Sequence, residues 1–324
     1  MDSQESSVKG IQPKSNSGNT TMRRADARLS VSGQPGGLIS RIVNGIRLRF
    51  WRRLDRALYL LLRKELNWLS TERIAALKSS LKPITRLDYE DDQILMCASS
   101  PLHIDRAYAC RKEPETVEWI RRHIGRGDVF FDVGANVGAY SLLAARLSGG
   151  EVVIHAFEPS FSTYYDLCNN ILLNRCQNTV LPHLMALART SGVSVFNYSS
   201  LNSGAAVHSL GESVDYRGEE FEPEYQQSVM CYSIDDLVGV HGFPVQNLLK
   251  IDVDGIELEI VMGAVNTLED SRVRSILVEV YEPGDGCQDV VELITSKGFE
   301  LCVRAPHPNG VANYVFGRNA EIST

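Results

Sequence analysis

The sequence predicts an α/β fold, and three segments predict it. Each runs an apolar strand into a short turn that opens a helix: Asp128 to Tyr140 (DVFFDVGANVGAY), Val152 to Phe157 ending in Glu158-Pro159, and Asn247 to Glu259 (NLLKIDVDGIELE). Strands alternating with helices argue a mostly parallel sheet covered on both faces. In such sheets the carboxyl ends of the strands form one crevice.

The first segment carries the most information. Gly134 and Gly138 permit positive φ and close backbone approach, and Asp132 ends the strand as a fixed acceptor. A dinucleotide fingerprint laid on Gly134 needs glycine at 136 and 139, where the chain has Asn136 and Ala139. The pattern present, DxGxNxG, resembles the S-adenosylmethionine loop of class I methyltransferases. In the second segment Glu158 follows Asp132 by 26 residues. An acid about 20 positions past the glycine turn ends the next strand and accepts from ribose hydroxyls. Read without that context, a strand-end Glu before Pro is a solvated loop acid.

The third segment ends its strand at Lys250-Ile251-Asp252, and Gly255 precedes the next helix. Asp252 therefore belongs to the same crevice, where it can orient a substrate hydroxyl, contact the methionine part of a cofactor or take a proton. Glu257 and Glu259 fall in the first turns of the helix, where the dipole favours negative charge. After the strand Ser275 to Val280, Glu279 and then Glu282 are weaker candidates for the same rim.

In this order and spacing, the segments resemble the FkbM family of S-adenosylmethionine-dependent methyltransferases. The resemblance begins at Lys112-Glu113-Pro114-Glu115-Thr116 with Trp119-Ile120. It continues through FFDVGANVGAYS, AFEP, Asn169-Asn170, Asn174, Ser233 to Leu237, KIDVDG with Glu257, and LVEVYE, covering about residues 108 to 318. It implies a Rossmann-like fold and methyl transfer to a hydroxyl of a sugar, glycolipid or polyketide-like metabolite. It also implies a cofactor site built from Asp132, Gly134, Ala135, Asn136, Gly138, Tyr140, Glu158 and Pro159, with Lys250, Asp252 and Glu279 at the point of transfer. Asp254 departs from the family, which more often carries Glu there, and Ser199 to Gln227 matches only loosely.

With the family as guide, a seven-stranded, mostly parallel sheet with an antiparallel last strand can be laid out. A third strand is expected over Thr179 to Leu187, added strands over Val193 to Tyr198 and Ser228 to Tyr232, and closing strands over Glu300 to Arg304 and Asn313 to Phe316. Helices are expected over Ala139 to Leu147, Ser162 to Leu173, Ile256 to Thr267 and Gln288 to Lys297.

A chain of 324 residues exceeds one such domain, and the excess is N-terminal. Residues 1–37, rich in Ser, Gly, Asn and Gln, lack the apolar side chains to offset ordering entropy and are expected to be disordered. Residues 38–100 form an extension and 101–324 the methyltransferase domain. Between Arg41 and Lys64, eight basic residues meet one acid, Asp55, although the whole chain carries −7; apolar residues recur there at helical spacing. Such a helix either packs on the domain or lies on an anionic membrane with Trp51 as anchor. Residues 83–100 suggest a short β-hairpin.

The N-terminus shows no apolar signal region, and seven scattered cysteines form no CxxC pair. Both features point to a reducing cytoplasm, with no structural zinc or disulfide framework. The histidines show no metal-ligand spacing; His208 stands out only because it falls in the expected acceptor region. A small-molecule or glycan- or lipid-linked acceptor is expected and nucleic acid is not. Two other readings remain: a nucleotide-sugar glycosyltransferase using Asp252 and Asp254 as a metal-binding DxD pair, and a non-catalytic module working through the basic helix.

Overall fold

The computed structural model describes residues 69–90, 93–284 and 286–318. The chain divides into two compact units, 1–78 and 79–324. Of the first, little more than the start of helix α1 (Thr71–Ser80) is described, so the expected tail 1–37 and basic helix 41–64 lie outside the described residues. Among the described residues no helix is long and apolar enough to cross a membrane.

The second unit opens with the expected hairpin, β1 (Ile84–Arg86) antiparallel to β2 (Leu95–Cys97). Short helices α2 (Pro101–Arg106), α3 (Ala109–Lys112) and α4 (Pro114–His123) lead into the sheet. From there β3 (Val129–Val133), α5 (Ala139–Leu147), β4 (Val153–Phe157), α6 (Phe161–Leu173) and β5 (Val180–His183) alternate. The asparagines of α6 anchor the hairpin: Asn174 bonds both N–H and C=O of Leu95, and Asn170 takes the Cys97 N–H at 2.7 Å. A side-chain amide presents the same donor and acceptor as a backbone unit, so it satisfies a strand edge that would otherwise be left open.

The main sheet is completed by β10 (Leu248–Ile251), β11 (Ser275–Tyr281), β12 (Glu300–Pro306) and β13 (Val311–Gly317), in the order β12-β13-β11-β10-β3-β4-β5. The run β11-β10-β3-β4-β5 is parallel, and β13 is antiparallel to both neighbours. The seven-stranded Rossmann-like sheet expected from the sequence is therefore present. Successive strand side chains point to opposite faces, and both faces are covered. Phe130, Ile154 and Leu248 pack with Trp119, Leu143 and Leu167, while Phe131, Phe157 and Leu249 pack with Leu237, Ile260 and Ile294. The helices on this second face are α7 (Ile234–Gly239), α8 (Glu257–Met262) and α9 (Gly286–Ser296).

Two element expectations are corrected. Thr179 to Leu187 is not one strand: after β5 the chain turns, and β6 (Ala186–Leu187) leaves for a second sheet with β9 (Tyr225–Tyr232), β7 (Gly192–Tyr198) and β8 (Ser209–Leu210). The two added strands belong to this sheet. Nor is Ile256 to Thr267 one helix, since α8 stops at Gly263 and a 3-10 turn follows at Thr267–Glu269. A Cβ at Gly263 would sit 2.3 Å from the Ala188 carbonyl oxygen. Asp235 then accepts from Thr267 N and Oγ1, both at 2.7 Å, starting a new turn.

Candidate active site

The β3–α5 turn is pinned by backbone bonds from Gly134 and Ala135 N–H to Phe157 O, at 3.1 and 3.0 Å. Gly134 (φ 79°) is required by sterics as well as by conformation, because a Cβ there would lie 1.9 Å from the Asp252 carbonyl oxygen. Asn136 also takes positive φ, 50°, which its short polar side chain tolerates. Glu158, buried at the end of β4, accepts from Asn136 N–H at 3.0 Å and Ser160 N–H at 2.8 Å. Burial outweighs those two bonds and lifts its carboxyl to about 7.

A cavity opens over this turn. Gly134, Asn136, Glu158, Pro159 and Asp252 line it, with apolar walls from Phe157, Leu187, Phe196, Leu210 and Ile256. Its polar edge carries three carboxyl groups, those of Glu158, Asp252 and Asp254. Asp132, Ala135, Gly138 and Tyr140 do not line this cavity. Asp132 is fully buried, accepts from Ser141 Oγ at 2.5 Å and so ties β3 to α5. Ala135 and Gly138 shape the turn, and the Tyr140 ring centroid lies 5.0 Å from Lys250 Nζ.

A second cavity adjoins the first and shares Gly134, Asn136, Asp252, Val253 and Asp254 with it. Carboxylates dominate its wall: Glu113, Asp252, Asp254, Glu257 and Glu279, with Arg106 the one basic side chain. Lys250 lies beneath Asp252. Period-two alternation puts both on one side of β10, and register sets Lys250 beside Asp132 of β3. Lys250 Nζ bonds Asp252 Oδ2 at 2.6 Å and stands 3.9 Å from Asp132 Oδ1. Burial works against the Lys250 ammonium, but Asp252, Asp132 and Glu113 overcome it and hold its pKa above the usual value. Burial, with Asp252 second, lifts Asp254 to about 6 and Glu279 to about 9; burial also lifts Glu257 to about 8 and raises Glu113. Perturbed carboxyls gathered in a cleft are what acid–base or hydroxyl-binding sites require.

The structure thus brings Asp252 and Glu279 into one cavity, with Lys250 supporting Asp252. Glu282 stays outside, bonded to Arg304 and Tyr314. The sequence reading missed Arg106 and Tyr216, which reach the second cavity from remote segments. It named Glu113 only as part of a motif, and it read Glu257 as a helix-dipole residue although the side chain is buried in the cavity wall. Among the described residues no group of three or more His, Cys, Asp or Glu is placed to hold a metal ion.

Residues 132–301 match the model of the methyltransferase FkbM domain. The chain belongs to the FkbM methyltransferase family. It is 26% identical over 208 residues to the hexuronic acid methyltransferase AglP of Haloferax volcanii, covering 64% of this chain and 77% of that protein. It is 29% identical to the 31-O-demethyl-FK506 methyltransferase FkbM of Streptomyces tacrolimicus (54% and 74% covered) and 30% identical to methyltransferase sdnD of Sordaria araneosa (52% and 73%). The protein is accordingly a methyltransferase with S-adenosylmethionine as methyl donor, and the glycosyltransferase and non-catalytic readings fall. In this family member Asp254 spends its Oδ2 on the backbone N–H groups of Val207 (2.6 Å) and His208 (3.2 Å).

Proposed function

We propose that this methyltransferase acts on a hydroxyl oxygen of a sugar, glycolipid or polyketide-like acceptor held in the carboxylate-lined cavity. The observation that carries the reading is the junction of the two cavities at Gly134, Asn136 and Asp252, which sets an apolar-walled slot against a carboxylate-lined one. S-Adenosylmethionine, when bound, supplies the electrophilic methyl group. Gly134, Asn136, Glu158 and Pro159 hold the donor in the first cavity.

In the second cavity, Asp252 accepts the proton of the reacting hydroxyl, and Lys250 fixes the direction of its carboxylate. Glu279 and Glu257, protonated at neutral pH, donate hydrogen bonds to further acceptor oxygens. A wall that offers both carboxylate acceptors and carboxylic acid donors suits a polyol, whose hydroxyls need both. Positioning supplies roughly 7 to 11 kcal/mol of barrier reduction, against about 10² to 10⁴-fold from a general base.

Calorimetric binding of S-adenosylhomocysteine tests the donor site. A mass-spectrometric screen of hydroxylated sugars and lipids for the gain of one methylene then identifies the acceptor. Asp252→Asn is expected to bind S-adenosylhomocysteine and lose about 10² to 10⁴-fold in turnover; near-normal turnover would remove Asp252 from the role.

A further inference from the structure

The segment that separates the two cavities holds one buried polar atom with no partner. His208 precedes β8 and is 8% exposed. Its backbone is fixed unusually firmly. Asp254 takes the N–H groups of both Val207 and His208, and Val207, a β-branched residue, sits at φ 65°. Such a conformation is strained and persists where the surroundings over-determine it, often at ligand sites.

The imidazole is equally constrained. It packs against Phe196 and Tyr198, with ring centroids 5.5 and 5.3 Å away. Its Nδ1 receives the Ser199 N–H at 3.3 Å, and the Ser199 hydroxyl is directed to Ala206 O at 3.0 Å. Because a backbone N–H only donates, Nδ1 is the acceptor, and the proton of the neutral ring resides on Nε2. That Nε2–H is buried and without a partner. Burial, with Arg106 second, lowers the ring's pKa to about 4, so the group stays a neutral single donor at neutral pH. An orphaned buried N–H is unfavourable, a cost that an acceptor from a ligand would remove.

The ring lines the same cavity as Glu158, among Phe157, Leu187 and Leu210. A purine is the complement of that wall: a flat apolar body whose ring nitrogens accept hydrogen bonds. We propose that His208 is the base-recognition residue of the donor site, giving its Nε2–H to a ring nitrogen of the adenine. This rests on the reading that the first cavity holds the adenosyl group. Asp254 is then a positioning residue that sets the His208 backbone.

The test is calorimetric binding of S-adenosylhomocysteine and of its 1-deaza, 3-deaza and 7-deaza analogues, in which one ring nitrogen is replaced by C–H. For the parent protein, one analogue of the three is expected to bind about tenfold more weakly than S-adenosylhomocysteine. His208→Phe, which keeps the aromatic packing, is expected to bind S-adenosylhomocysteine about tenfold more weakly and to lose that discrimination. A structural role alone would weaken all four ligands equally and leave the discrimination intact, overturning the proposal. Equal binding of all four ligands by the parent also overturns it and needs no variant. If the parent binds none of them, the assignment of the cavity itself has failed, a distinct result.

Discussion

Lys250→Met removes the buried cation that lies beneath the second cavity. Lys250 is 1% exposed, as is Asp132, and the two carboxylates stand 2.6 and 3.9 Å from its nitrogen. At an effective dielectric constant of 20 these separations correspond to about 6 and 4 kcal/mol of attraction, from which the several kcal/mol of desolvating the ammonium must be subtracted. Breaking a buried pair by removing one partner costs about 3–5 kcal/mol, and this site falls in that range. At roughly 2–4 °C per kcal/mol for a domain of this size, the melting temperature should fall by about 10 °C at neutral pH.

The deficit also has a pH signature. The Asp132 carboxyl is already raised by burial despite Lys250, and it rises further without the cation. Between the unfolded and folded pKa values, the folded variant binds more protons than its unfolded chain, so its stability declines as pH rises through that window. Urea denaturation of parent and variant at pH 5.5 and 7.5 should therefore show the larger gap at 7.5. A gap under about 1 kcal/mol, or one that does not change with pH, would refute the account of Lys250 as the compensating charge.

Three further outcomes are expected. Gly134→Ala forces a Cβ to within 1.9 Å of the Asp252 carbonyl at φ 79°, so it should cost about 2 kcal/mol or more and weaken S-adenosylhomocysteine binding, read by denaturation and calorimetry. Glu158 is protonated below about pH 7, so donor affinity should rise as pH increases through 7 and level off above it; in Glu158→Gln the profile should be flat and affinity about tenfold or more lower, and a sloping profile in that variant would assign the titration elsewhere. His155 stacks on His183 within a phenylalanine cluster, and burial lowers its pKa from 6.5 to about 4. The unfolded chain binds its proton first, so stability should fall by about 2 kcal/mol between pH 7 and pH 5 on its account, a loss that His155→Phe should largely abolish in urea titrations.

What the sequence determined by itself was local. The strand, glycine turn and helix of residues 128–147 are written in neighbouring side chains, because a short apolar run that stops at a glycine turn, with positive φ at 134 and 138, needs no distant partner to be recognised. Glu158 was legible for the same reason, as the residue that ends the next strand of a repeating module. The second sheet and the true ends of β5 and α8 were not, since they depend on close approaches such as Gly263 to Ala188. Nor does chain spacing say whether a strand-end acid meets solvent or a cation. Asp132 and Asp252 look alike in sequence and both face Lys250, yet pairing of β3 with β10 buries the first completely, whereas the second, just past the end of β10, stays in the cavity wall. Glu113, Arg106, Glu257 and His208 gain their surroundings only when segments far apart in the chain close over the crevice. Charge burial and proton affinity are properties of that closure, and only the tertiary structure could decide them.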